Sequence, residues 1–129
     1  MKIASLVARY LLGFIFLVFG LNGFLHFIPM PPPSGTAGDF MMALYVSHYL
    51  VIIFLLQLIP AVLLLINRFV PLALTLLAPV IVNIFFFHAF MAPSGLPLAV
   101  FVTLLWILVA VGVRSAFSGL LQHRVQSPA

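Results

Sequence analysis

The chain has no cysteine, and it carries a single acidic residue, Asp39, against five basic ones in 129 residues. Without cysteine there are no disulfides, no thiolate metal sites and no paired thiols of the kind small four-span proteins use to pass electrons to quinones. With one carboxylate, and that one at the edge of an apolar stretch, nothing inside a span can orient a histidine. Hydrolytic catalysis is therefore poorly supplied, and Ser47 beside His48 is not a triad. Charged residues make up 5% of the chain, where a soluble domain carries about a quarter. The formal charge of +4 comes from scattered Lys and Arg, which excludes the clustered basic face of a nucleic-acid binder.

Apolar residues make up 66% of the sequence. No charge interrupts residues 10–38 or 40–67, and each interval holds one span of roughly 20 residues plus a loop. The interval 69–113 is too long for one span, and Ala92-Pro93-Ser94-Gly95 breaks it with turn chemistry. These features predict an all-α membrane protein. It is read as one domain over residues 1–129, a bundle of four transmembrane helices at about 6–28, 39–66, 70–91 and 96–113. Lys2 and Arg9 ahead of the first apolar run also fit a signal peptide, but the run is long and no Ala-x-Ala-type cleavage site follows it.

Four spans put Lys2, Arg9, Arg68, Arg114 and Arg124 on one side and Asp39 on the other. If each charge chose a side at random, five on one side would occur about one time in sixteen. Basic residues in short loops favour the cytoplasmic side. Both termini and the Arg68 turn are therefore expected inside, and the loops at 29–38 and 92–95 outside, in a bacterial cytoplasmic (inner) membrane. Tyr10, Tyr45 and Tyr49 fall near span ends, where aromatic belts sit, whereas Trp106 falls in mid-span and reads as packing.

Local signals fit these boundaries. Thr36-x-x-Asp39 resembles a capping box for the second helix, with Asp in place of Glu. Asn67 sits at a turn, and Pro71 and Pro97 in first turns, where proline is tolerated. Pro60 and Pro79 lie inside spans and free the carbonyls of Leu56 and Thr75. After Arg114 the chain reads as an amphipathic tail over residues 114–124, with Phe117, Leu120 and Leu121 beside Arg114 and Arg124, suited to the membrane interface.

The most specific internal signal is a repeat. The first helix ends Asn22-Gly-Phe-Leu-His26-Phe-Ile-Pro-Met30, followed by Pro31-Pro-Pro-Ser-Gly35. The third ends Asn83-Ile-Phe-Phe-Phe-His88-Ala-Phe-Met91, followed by Ala92-Pro-Ser-Gly95. The Asn-to-Met separation is eight in both. Two parallel helix-pair repeats would produce this, as would chance similarity between two apolar helix ends. The pattern places Asn22, His26, Asn83 and His88 near the outer surface, with Ser47 and His48 at similar depth. Polar groups inside a span are costly and face the bundle interior, which marks these six as candidate ligand-binding residues. Arg9, Gly13, Phe16, Gly20 and Gly23 share a different face of the first helix, about 120° away at 100° per residue. A glycine face admits a close neighbour, in this chain or in a second copy as a homo-oligomer. Two readings of the polar set stand: a lined pocket, or hydrogen-bonding glue between helices.

Among chemistries, a metal site is disfavoured because no His pair has i, i+4 spacing and the only carboxylate lies near the surface. Haem between His26 and His88 has no further support. Proton pumping needs titratable groups across the membrane, and the inner half offers only Gln57 and Thr75. A quinone or another lipid-soluble ligand is better served. It needs an apolar aromatic cleft with one or two His or Asn groups for its carbonyls, and Phe85, Phe86, Phe87 and Phe90 stand beside Asn83 and His88.

Arg9-Tyr-Leu-Leu-Gly13-Phe-Ile-Phe-Leu-Val-Phe-Gly20, then Asn22-Gly-Phe-Leu-His26-Phe, resembles the opening helix of the DoxX family of small bacterial membrane proteins. Asn67-Arg68-Phe-Val-Pro71-Leu-Ala-Leu, running into Ala78-Pro79-Val and Asn83-Ile-Phe-Phe-Phe-His88, resembles its third helix. The resemblance covers about residues 6–121 and rests on order and spacing more than on any one motif. It implies a four-helix membrane bundle associated with quinone-linked redox, including thiosulfate oxidation, and with oxidative-stress partners; most members have no established activity. Two positions depart from it. Relatives often carry Lys where this chain has Gly23, and Glu where it has Gln57. Loss of both ionisable groups favours a binding or scaffold role over proton or redox chemistry, and autonomous catalysis is not expected. The leading expectation is a small-ligand site in the outer half, with the lipid bilayer and a membrane or redox protein as partners. The alternative is a non-catalytic scaffold or subunit of a larger complex.

Overall fold

The computed structural model describes residues 2–128. The helices are α1 (Lys2–Leu25), α2 (Gly35–Val46), α3 (Tyr49–Leu65), α4 (Val70–Phe90) and α5 (Leu96–Gly112), with 3-10 segments at Pro93–Gly95 and Arg114–Leu121. No strand occurs among the described residues. Three helical stretches, Lys2–Leu25, Val70–Phe90 and Pro93–Gly112, are long and apolar enough to cross a membrane. The bent pair α2 and α3 makes a fourth if it counts as one span.

That bend corrects the single second helix expected over 39–66. The axes of α2 and α3 differ by 89°. A straight helix of that length would measure about 42 Å, well beyond a hydrocarbon core of about 30 Å. The break has a local cause. Ser47 Oγ donates to Leu44 O (3.3 Å) and accepts from Tyr49 N (3.3 Å), so the side chain competes with the helical ladder. His48 follows in the left-handed region, at φ 64°. After the break α3 keeps 17 residues, about 25 Å of rise. The capping box at Thr36 and Asp39 does not form: α2 starts earlier, at Gly35, and no side chain bonds its N-terminus.

Other termini follow from their residues. The first helix ends at Leu25, where His26 turns left-handed at φ 53°. The end of α3 is a Schellman motif: Arg68 N donates to Leu63 O (3.0 Å) and Asn67 N to Leu64 O (3.4 Å), with Asn67 left-handed at φ 55°. Pro71 and Pro97 occupy first turns of α4 and α5, where no ladder N–H is lost. Arg114–Leu121 winds as a 3-10 helix; Phe117 packs on the core, while Leu120 and Leu121 stay exposed.

The most extensive packing is α1 on α3, followed by α1 on α5, α3 on α4 and α4 on α5. Leu12, Leu64, Leu74, Leu77 and Val109 are fully buried at the centre. The α1–α3 contact depends on the glycine face. A methyl on Gly13 would lie 2.9 Å from Leu65 and 3.2 Å from Ala61 O, one on Gly20 2.9 Å from Leu58, and one on Gly23 would meet the Phe54 ring. The face expected to offer a homo-oligomer contact is thus filled by α3 of the same chain. Trp106 is a packing residue, its indole donating to Leu74 O at 2.9 Å. Outside the core, Phe14, Ile52, Ile59, Leu72, Val82 and Leu104 are exposed. So broad an apolar surface belongs in lipid rather than water.

Candidate functional site

At the end of the bundle where α1 stops and α2 crosses, a cavity of about 770 Å³ opens between the helices. Its aromatic walls are Phe16, Phe19 and Phe24 of α1 and Phe54 of α3; Phe24 and Phe54 meet edge to face at 6.0 Å. Ile84 and Val102 close the side formed by α4 and α5, while Met41 and Tyr45 bring α2 over the opening. The α2 helix is held lightly. Ala37 is its one buried residue, and Phe40 reaches Phe87 of α4 at 5.8 Å between ring centres.

The cavity brings together four of the six residues expected to form a site: Asn22, His26, His48 and His88. His26 and His48 stand where the chain leaves helical geometry at this end of the bundle, both at positive φ, as Asn67 and Phe69 do between α3 and α4. Single residues in this region cost roughly 1–2 kcal/mol, and such strain collects at functional positions. His88 sits on the last turn of α4. Its Nδ1 lies 2.8 Å from Ile84 O, which only an N–H can satisfy, so Nδ1 carries a proton. In the neutral ring Nε2 is then an acceptor, and it bonds no group among the described residues.

Asn22 is 9% exposed, and its amide is occupied. Oδ1 accepts from Ile28 N at 2.7 Å and Nδ2 donates to Ile28 O at 3.4 Å, tying the loop to the end of α1. It shapes the cavity more than it offers a free group. Ser47 and Asn83 do not line it. Ser47 is spent on the helix break, and Asn83 is exposed on α4 with Nδ2 donating to Pro79 O at 2.8 Å. The two halves of the sequence repeat therefore have different environments. Asn22 ends a helix three residues on, whereas α4 continues seven residues past Asn83. Phe85, Phe86, Phe87 and Phe90 are likewise absent from the lining, and the aromatic wall comes from α1 and α3 instead.

Gln57 was not among the expected site residues, yet it is the most informative one present. It is 7% exposed, it lines the cavity, and no hydrogen bond reaches its side chain among the described residues. Since no fully enclosed side-chain nitrogen or oxygen lacks a partner there, both amide atoms remain accessible. An accessible amide with no protein partner, on a residue otherwise buried, is free to bond a group in the cavity. Expected in the inner half, Gln57 instead lines the same cavity as His26, His48 and His88; the available signal was its polarity amid the apolar run of α3.

No carboxylate lines the cavity, and among the described residues no three of His, Cys, Asp and Glu converge as a metal site would require. The chamber offers an amide that both donates and accepts, an imidazole acceptor at His88, and aromatic walls. No family model, no curated protein and no solved structure matches this chain.

Proposed function

We propose that this protein is a DoxX-like multi-pass protein of a bacterial inner membrane that binds a small lipid-soluble ring compound, of the quinone class, in its outer chamber. In this reading α2 and α3 together complete four spans, both termini are cytoplasmic, and the family likeness rests on the sequence motifs quoted above. The observation that carries the ligand proposal is the unbonded Gln57 amide inside an aromatic cavity. Quinone carbonyls accept from such an amide, and the flat ring suits the Phe16, Phe19 and Phe54 walls. His88 adds a preference. As an acceptor at Nε2 it suits the hydroxyl of the reduced, quinol form better than a carbonyl oxygen.

The two positions that depart from the family pattern, Gly23 and Gln57, both line the chamber. A neutral amide there and no carboxylate support holding a ligand over moving its protons. The scaffold alternative drew on the glycine face, which α3 occupies, and on the near absence of ionisable groups, which suits binding equally; the cavity favours binding.

Extraction of the purified protein into organic solvent, followed by chromatography with ultraviolet detection, tests this. Wild-type protein is expected to carry quinone. His26→Ala with His88→Ala, and separately Gln57→Leu, should lose it while circular dichroism stays unchanged. Full retention in both variants would put the ligand elsewhere, and a wild-type extract without quinone would remove this ligand class.

A further inference from the structure

A second cavity, of about 340 Å³, lies at the opposite end of the bundle. Its lining brings Lys2 and Arg9 of α1 together with Arg114 after α5, beside Ser5 and Asn67. Gly112 lets α5 approach α1 here, since a methyl at that position would run into Ser5. Three cations from distant points of the sequence thus share one notch.

Arg9 is the informative member. It is 8% exposed. One terminal nitrogen donates to Leu64 O, at the negative end of the α3 dipole, and the guanidinium lies 4.4 Å from the centre of the Tyr10 ring. Its Nε and other terminal nitrogen bond nothing among the described residues, and since no fully enclosed side-chain nitrogen lacks a partner, they remain accessible on a residue that lines the notch. The chain's one acid, Asp39, is on α2 at the far end. A charge this deeply buried needs an opposite one, and no side chain supplies it. The N-terminus of α4 at the same end also has no side-chain cap.

We infer that this notch is a binding site for a phosphate-bearing anion, with Arg9 at its base and Lys2 and Arg114 at its rim. Two arginines and a lysine against one tetrahedral anion is the chemistry of phosphate recognition. At the edge of an apolar bundle, the phosphate within reach is an anionic phospholipid headgroup. The site is independent of the outer chamber.

The test is a titration of the detergent-solubilised protein, followed by thermal unfolding, with phosphatidylglycerol, phosphatidylcholine and inorganic phosphate as separate arms. Phosphatidylglycerol is expected to raise the midpoint and phosphatidylcholine to leave it unchanged. Lys2→Gln with Arg114→Gln, both on exposed residues that do not support the core, should weaken the phosphatidylglycerol response at least tenfold in half-saturating lipid. Inorganic phosphate reproducing the shift would assign the site to a free anion, and its failure to do so would assign the site to lipid. Equal responses to the two lipids, or a double variant that responds as wild type does, would overturn the inference. Arg9→Lys keeps the charge and should retain the response.

Discussion

Gly95 shows how a residue with no side chain can govern the placement of one that has, His88. It sits in the turn before α5, and a methyl on it would collide with the Cδ2–Nε2 edge of His88. The ring cannot simply swing away, because Nδ1 is held by Ile84 O. Gly95→Ala should therefore break that bond, at a cost of about 1 kcal/mol, and release the fixed tautomer. Quinone recovered on extraction should fall, with no change for Gly119→Ala, where a methyl meets nothing. Imidazole nitrogen chemical shifts would read the tautomer directly, and an unchanged Nδ1–H signal in Gly95→Ala would refute the mechanism. Gln57 makes the complementary point. Its importance comes from what it fails to touch, and no residue spacing reports that.

Among the elements, α2 depends on the two residues that separate it from α3. His48 holds a conformation natural to glycine, so His48→Gly should stabilise the ligand-free protein by about 0.5–1 kcal/mol. His48→Val, β-branched at positive φ, should destabilise it. Denaturant unfolding in detergent checks both, and a stabilised valine variant would mean that α2 and α3 do not break there. This break also marks where the sequence stopped being informative. The ends of α4 and α5 were legible because Pro71, Pro97 and the Pro93-Ser94-Gly95 turn punctuate them. Ser47-His48 lies in a long apolar run with no Gly or Pro, and its effect is visible only once Ser47 Oγ is seen bonding Tyr49 N. With the second helix read as straight, the placement of Gln57 relative to His48 was lost. The Asn22/Asn83 repeat misled for a related reason. Like residues ended up in unlike places because one ends its helix and the other does not. The three histidines were legible because histidine is expensive in an apolar segment wherever it falls.

Across the whole molecule the two ends have opposite characters. One gathers Lys2, Arg9 and Arg114 beside the Asn67–Arg68 turn. The other carries His26, His48 and His88, Gln57 and the acid-bearing α2. Reporter fusions check the orientation this implies. A phosphatase joined after residue 129 should be inactive, and one inserted in the Pro31–Ser34 loop active; the reverse pattern would invert the proposed topology. In the proposed orientation, with the basic end toward the cytoplasm, the resting voltage would act on the protein directly. Carrying each positive charge outward against a potential of 100 mV costs about 2.3 kcal/mol, and the arrangement offers almost no negative charge to offset it. In that orientation the energised membrane itself would be a lock, one that tightens as the cell's voltage rises.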